Sequence, residues 1–295
     1  MTGTHHKNIP RETMPNNGAI LYGKAPATRR YSAKDAGRLA LDDLIAGLKA
    51  APIWWGLALH DVRQRFRRSL IGPLWITLSM AITIVAIGFV FGQLFNTPAR
   101  EYLPYLATGV LVWTLISGVA NESCSSFIDA HQFIRNLPMP LFAHVLRTVT
   151  RNFLIFGMNF LACLGVLVVF AVTPTPAMLE VIPGIALVLV NLLWVALALA
   201  LVSVRYRDMI PIVANVCQVV FFITPIFWHK DKLLDRTEFI EWNPVYHLIE
   251  VIRAPLLGRA ADADSLLIVT LLAVFGTLFM IFIYRRYFTS IAFWV

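Results

Sequence analysis

Charge is scarce in this chain. Of its 295 residues, 14% are Asp, Glu, Lys or Arg and 58% are hydrophobic, where a soluble domain carries roughly 25% charge. Mean hydropathy is +0.69. The combination excludes an ordinary water-soluble domain and makes the bilayer the solvent to reason in. Cysteine is nearly missing too. Cys124, Cys163 and Cys217 are the three present, and their spacing matches neither a zinc set nor a redox pair. They are expected to be inert packing thiols. The opening "MTGTHHKNIPRETMPNNG" has no apolar stretch of the kind a cleaved signal carries. There is no Gly-x-x-x-x-Gly-Lys-Ser/Thr loop, no His-Glu-x-x-His and no Gly-x-Ser-x-Gly, so no nucleotide, metal or acyl-transfer site is expected in this chain. The net charge of +8 does not indicate a nucleic-acid partner. The basic residues flank apolar runs and form no basic domain of their own.

Long apolar runs are what the chain does have. About 20 apolar residues in a helix cross the hydrocarbon layer. Six segments fit: 71–95, 102–120, 152–172, 181–204, 209–228 and 265–284, none containing Asp, Glu, Lys or Arg. In the second, Pro104 near the start predicts a slightly late beginning. The short "TPTPAMLE" joins the third and fourth as antiparallel neighbours. With the N-terminus inside, the inner segments hold 19 basic and 8 acidic residues, leaving 6 basic and 9 acidic outside. That asymmetry predicts both termini in the cytoplasm. The expected fold class is therefore all-α integral membrane, with six transmembrane helices. Its divisions are a cytoplasmic, partly mobile extension 1–50, an interfacial amphipathic helix 51–70, the membrane domain 71–284 and a cytoplasmic tail 285–295. No charge lies mid-span, where a proton relay would need one, so energy for transport is expected from a partner.

Three segments flank the spans. "APIWWGLALHDVRQRF" carries Trp54, Trp55, Leu57, Leu59, Val62 and Phe66 and reads as an amphipathic helix in the headgroup layer. Arg63, Arg65, Arg67 and Arg68 follow at the membrane edge. Positive-inside anchoring accounts for all four, at about 1 kcal/mol each near anionic lipid. Recognition of a diphosphate headgroup by the guanidinium fork is the functional alternative, and the two readings are compatible. Residues 121–137 put Cys124, Phe127, Ile128, His131 and Ile134 on one helical face, with Asn121 as cap and Pro138 as stop. "NPVYHLIEVIRAPLLG" predicts an extracellular helix capped by Asn243, with Pro244 in its first turn and Gly258 as stop. Its apolar face is Val245, Leu248, Ile249, Ile252 and Leu256.

Within the spans, Trp75, Ser79, Ile82, Phe89 and Gln93 share a face of the first, and Asn215, Gln218 and Phe222 share a face of the fifth. Polar groups in hydrocarbon need partners. Interhelical hydrogen bonding is one use. The other is a pathway lined by rings and amides, a surface that suits sugars.

Three stretches together resemble ABC-2 type polysaccharide export permeases. "DVRQRFRRSLIGPLWITLSM" is similar to the family's approach to its first membrane helix. "VRYRDMIPIVANVCQVVFFITPIFW" is similar to its fourth-to-fifth connection, and "NPVYHLIEVIRAPLLG" to the segment before its last helix. The resemblance covers about residues 50–290 and is nearest to O-antigen and capsular polysaccharide permeases of Gram-negative bacteria. It implies an inner-membrane homodimer forming a channel, with two copies of a separate ABC ATPase that hold ATP and Mg. The cargo it implies is a polysaccharide on a polyprenyl diphosphate. Residues 121–137 become the helix that docks into the ATPase, with Phe127, Ile128, Phe133 and Ile134 as buried contact and Asp129 and Arg135 as rim. Tyr246, Leu248, Ile249 and Ile252 become an extracellular gate. Two other readings are an ABC-2 exporter of a small amphiphile and a membrane-embedded glycan transferase. For the transferase, only His60, Asp61 and Asp208 are nearby acid or base candidates.

Overall fold

In hydrocarbon a backbone must satisfy its own polar groups, so uncharged apolar runs become helices. The computed structural model describes residues 33–67, 71–136, 139–229 and 238–294, and among these every regular element is helical. In chain order they are α1 (Ala33–Lys49), α2 (Ala51–Arg65), α3 (Leu74–Phe95), α4 (Ala99–Ser123), the short α5 (Ser126–Asp129) and α6 (His131–Asn136), and α7 (Leu141–Val169). A 3₁₀ turn, Pro176–Glu180, leads into α8 (Val181–Arg205). Then come α9 (Met209–Ile223), the short α10 (Glu238–Glu241), α11 (Pro244–Leu256) and α12 (Ala263–Trp294). Among the described residues five stretches are long and apolar enough to cross a membrane: Leu74–Phe95, Ala99–Ser123, Leu141–Val169, Pro176–Arg205 and Ala263–Ile291.

The fifth expected span, 209–228, differs. Its helix α9 has 15 residues, about 22 Å at 1.5 Å per residue, short of the roughly 30 Å hydrocarbon layer. It stops at Ile223 because Thr224 precedes Pro225 and takes an extended conformation, ψ 137°. Residues 224–228 form an irregular strap.

Other boundaries moved as well. α4 starts at Ala99, earlier than expected, and runs through Pro104. Pro98 as N-cap and Glu101 in the first turn favour a start there, and Pro104 costs one backbone bond near the end of the helix. Asn121 is not a cap: it lies inside α4, its Nδ2 donating to Ser117 O at 2.7 Å. The expected single helix over 121–137 is therefore the end of α4 followed by two short turns, α5 and α6. α7 begins eleven residues before the apolar run, and α12 continues as helix to Trp294 through the stretch expected to be a tail.

Alternating chain direction gives the bundle two ends. α2, α5, α6, the start of α7, the α8–α9 turn and the end of α12 share one, called here the α2 end. The strap, α10 and α11 share the other, the α11 end. α4 is the central helix, 72% of its span buried against 17% for α3 and for α12. α1, in a region whose role the sequence left open, packs on α7 and α12. It presents small residues, Gly37, Ala40 and Gly47, and one buried acid, Asp43. Asp43 Oδ1 accepts from Leu141 N at 2.9 Å and Oδ2 from Phe142 N at 3.0 Å. Tyr284 of α12 donates to Oδ2 at 2.8 Å. A side chain from α1 thus caps the first amides of α7, where the helix dipole favours an anion.

Candidate functional site

At the α2 end, α2 lies on α7 with Ala58 and Val62 buried. Trp54 turns inward, its Nε1 donating to Gly47 O at 3.1 Å, while Ile53 and Trp55 stay exposed. Asp61, on the inner face, accepts a two-pronged contact from Arg147: Nε to Oδ2 at 2.7 Å and Nη2 to Oδ1 at 2.5 Å. Arg151, one turn further along α7, bridges Asp61 at 3.2 Å and Glu122 of α4 at 2.8 Å. Asn152 Nδ2 donates to the same Glu122 at 2.6 Å. Arg65 reaches Glu122 at 3.7 Å from a side chain 58% exposed. Arg63 and Arg67 are exposed, and Arg68 lies outside the described residues. Asp61 is thus committed to two arginines and offers no free base for transferase chemistry.

The α5–α6 segment divides its expected contacts. Phe127 is fully buried in the core, so it cannot serve as a surface contact for an ATPase. Ser126 and Thr148 hydroxyls meet beneath it at 2.8 Å. Ile134 is half-buried and packed on the same core. Asp129 is exposed and accepts from Ser125 Oγ at 2.7 Å. Ile128, Asp129 and His131 line a cleft of about 450 Å³ with Arg207 and Trp294, and the Arg205 guanidinium lies 5.1 Å from the Trp294 ring. The side chains of Phe133 and Arg135 lie outside the described residues. Cys124 is a buried free thiol beside this segment, and burial pushes its pKa up.

The two expected pathway faces both point away from the protomer. Trp75, Ser79, Phe89 and Gln93 are exposed along α3, and Asn215, Gln218 and Phe222 along α9. Phe89 is 73% exposed and Phe222 58%, so neither packs helix against helix within one chain. Ser79 Oγ donates back to Trp75 O at 2.8 Å. Phe89 and Gln93 line a groove of about 520 Å³ with Gly88, Gly92, Asn96 and Leu103. α3 and α9 both pack on α4, and rings connect them near the strap. Phe91 lies 4.9 Å from Phe227, which lies 5.5 Å from Phe221 and 6.0 Å from Phe222.

At the α11 end, Asn243 caps α11 as expected, Oδ1 accepting from Val245 N at 3.0 Å. Tyr246, Leu248, Ile249 and Ile252 are all buried. The helix is sunk into the bundle against α4, α8 and α12. The strap's carbonyls are taken by side chains. Tyr102 donates to Phe227 O at 2.6 Å, and Tyr105 to Pro225 O at 2.9 Å and Trp228 O at 3.2 Å. Irregular backbone at membrane depth survives only with such partners. Arg253 Nη2 also donates to Pro225 O, at 2.9 Å. This arginine is 0% exposed, although it lies in the helix expected on the extracellular side. The signals that point to these charges are spacings: Arg147 and Arg151 one turn apart, and Glu250 with Arg253 three apart.

The fold and these ends define a multi-pass helical membrane protein whose buried charges tie its ends together. The sequence profile of the ABC-2 type transporter family matches residues 54–257, and the chain belongs to that family. It is similar to an O-antigen export system permease protein of Klebsiella pneumoniae, 26% identical over 64% of this chain and 74% of the relative. A Myxococcus xanthus protein of the same description is 25% identical over 74% and 85%. A polysialic acid transport protein of Escherichia coli is 22% identical over 71% and 83%. The chain is thus a transport permease and not an enzyme, and the family implies an ABC ATPase as partner.

Proposed function

We propose that this permease forms, with a second copy, the channel of an ATP-driven exporter of lipid-linked polysaccharide in the bacterial inner membrane. The cargo is of the O-antigen or capsule type, carried on a polyprenyl diphosphate. ATP and Mg sit on two copies of the ATPase. The chain crosses six times, α9 and the strap together making the fifth passage, and both termini are cytoplasmic. The α2 end is then the cytoplasmic face. There Ile128, Asp129 and Ile134 meet the ATPase, and Arg63, Arg65, Arg67 and Arg68 receive the lipid diphosphate. α11, seated in the bundle by Tyr246, Leu248, Ile249 and Ile252, closes the outer exit.

The observation that carries this reading is the pair of aromatic and amide faces on α3 and α9, left uncovered in the protomer. Rings offer contact without demanding one hydroxyl pattern, and amides exchange hydrogen bonds as a polymer slides. Phe89→Ala and Phe222→Ala test it. Export of the polymer is expected to change several-fold while the thermal midpoint of the purified complex stays within about 2 °C, since neither ring fills a core cavity. Unchanged export with both substitutions combined would remove the pathway assignment.

A further inference from the structure

Arg253 is the largest fully buried side chain among the described residues. It sits level with Gly109, ten residues into α4, roughly 15 Å from the end of that helix at 1.5 Å per residue. Its surroundings are built for a guanidinium. The group lies 4.1 Å from the centroid of the Tyr105 ring, within cation–π range. Gly109, one turn along α4, leaves the space: a Cβ there would come within 2.6 Å of Nη2 and 3.0 Å of Ile226 O. Nη2 holds Pro225 O of the strap. Arg253 therefore joins α11, the strap and α4 at one point, together with Tyr105, which holds the same Pro225 O.

The compensation is incomplete. Nη1 meets the Glu250 carboxylate at 3.5 Å without a hydrogen bond, and Nε has no hydrogen-bond partner among the described residues. A charge at membrane depth is costly and is retained for use. A side chain needed only for cohesion would do better as an apolar residue of the same volume.

We infer that Arg253 is a positioning residue for transport: it clamps α11 and the strap onto α4 when the outer exit is closed, and releases them when the exit opens. The inference rests on α11 being the exit's gate. The guanidinium holds the strap by one hydrogen bond, to Pro225 O, so few contacts have to part for α11 and the strap to leave α4.

The test uses the permease–ATPase complex in proteoliposomes without ATP, loaded with a disaccharide-sized fluorescent solute. Arg253→Met is expected to raise passive leak at least tenfold and lower ATP-driven export. Gly109→Ala, which displaces the guanidinium and leaves its charge, is expected to leak likewise and decides the matter if the first variant fails to assemble. Tight vesicles with both variants, or with Gly109→Ala alone in that event, would overturn the inference. The gate itself is tested separately by Thr224→Cys with Asn243→Cys in a cysteine-free background. Those side chains touch at 2.9 Å, and an oxidised pair pins α11 to the strap. Export that stops on oxidation and returns with reductant supports the gate. Export indifferent to oxidation removes the gate and Arg253's role with it. A working lock beside tight Arg253→Met and Gly109→Ala vesicles removes only the role of Arg253.

Discussion

The two ends of the bundle both bury arginine, and they treat it in opposite ways. At the α2 end Arg147 and Arg151 share two carboxylates, with hydrogen bonds at 2.5 to 3.2 Å, and their side chains keep 22–24% of their exposure. Matched charges at the water's edge lose little hydration and gain geometry, so that network is a tie between α2, α4 and α7. At the α11 end one arginine with no exposure at all has a carbonyl, a ring and a single carboxylate at 3.5 Å. It grips the strap through one carbonyl, so the contact suits an element that must let go. The same residue type serves as anchor or as release according to how many bonds hold it.

The comparison can be broken most forcefully at Asp61. Asp61→Ala leaves Arg147 and Arg151 without their shared partner and removes three charge-assisted bonds, at a cost of about 3 kcal/mol. Denaturant or thermal melts of the complex should show it. A loss under 1 kcal/mol would mean that the network is a surface ornament. Asp43→Ala comes next. It strips charge-assisted bonds from the first amides of α7, for about 2 kcal/mol. Hydrogen exchange at Leu141 and Phe142 should rise, and unchanged protection there would show that α1 is not the cap. The smallest effect belongs to Arg65→Gln. Its pair with Glu122 is long and exposed, worth under about 1 kcal/mol and weakened further by salt. Stability should barely move, so a substantial export defect in that variant would assign Arg65 to the cargo.

Legibility in the sequence followed hydropathy. α8 appears almost at its expected bounds, and Asn243 caps α11 as its spacing predicts, because an apolar run and a cap are local signals. Helix ends that carry charge were missed for the same reason. α7 starts ahead of its apolar run because Asp61 and Glu122 neutralise Arg147 and Arg151, partners 86 and 29 residues away in sequence. α1 carries an apolar period in Leu41, Leu44, Ile45 and Leu48, but the stripe it buries is Gly37, Ala40, Asp43 and Gly47, which that period does not mark. The strap did carry a signal in Thr224–Pro225. The apolar run continued past it and masked the break. Phe127 was placed on a partner's surface because a helical face reads as apolar whichever way it turns.

The Asp43 cap has a consequence for how the protein is made. Its bonds join α1 to residues 98, 99 and 241 positions later. At roughly 5–20 residues per second, Tyr284 leaves the ribosome about 12–50 s after Asp43. Until Leu141 and Phe142 are made, about 5–20 s after Asp43, the acid has only water or lipid headgroups for company, and its third bond waits for Tyr284. The seating of α1 is therefore completed only when α12 arrives, and a nascent permease halted before then would hold α1 by α7 alone.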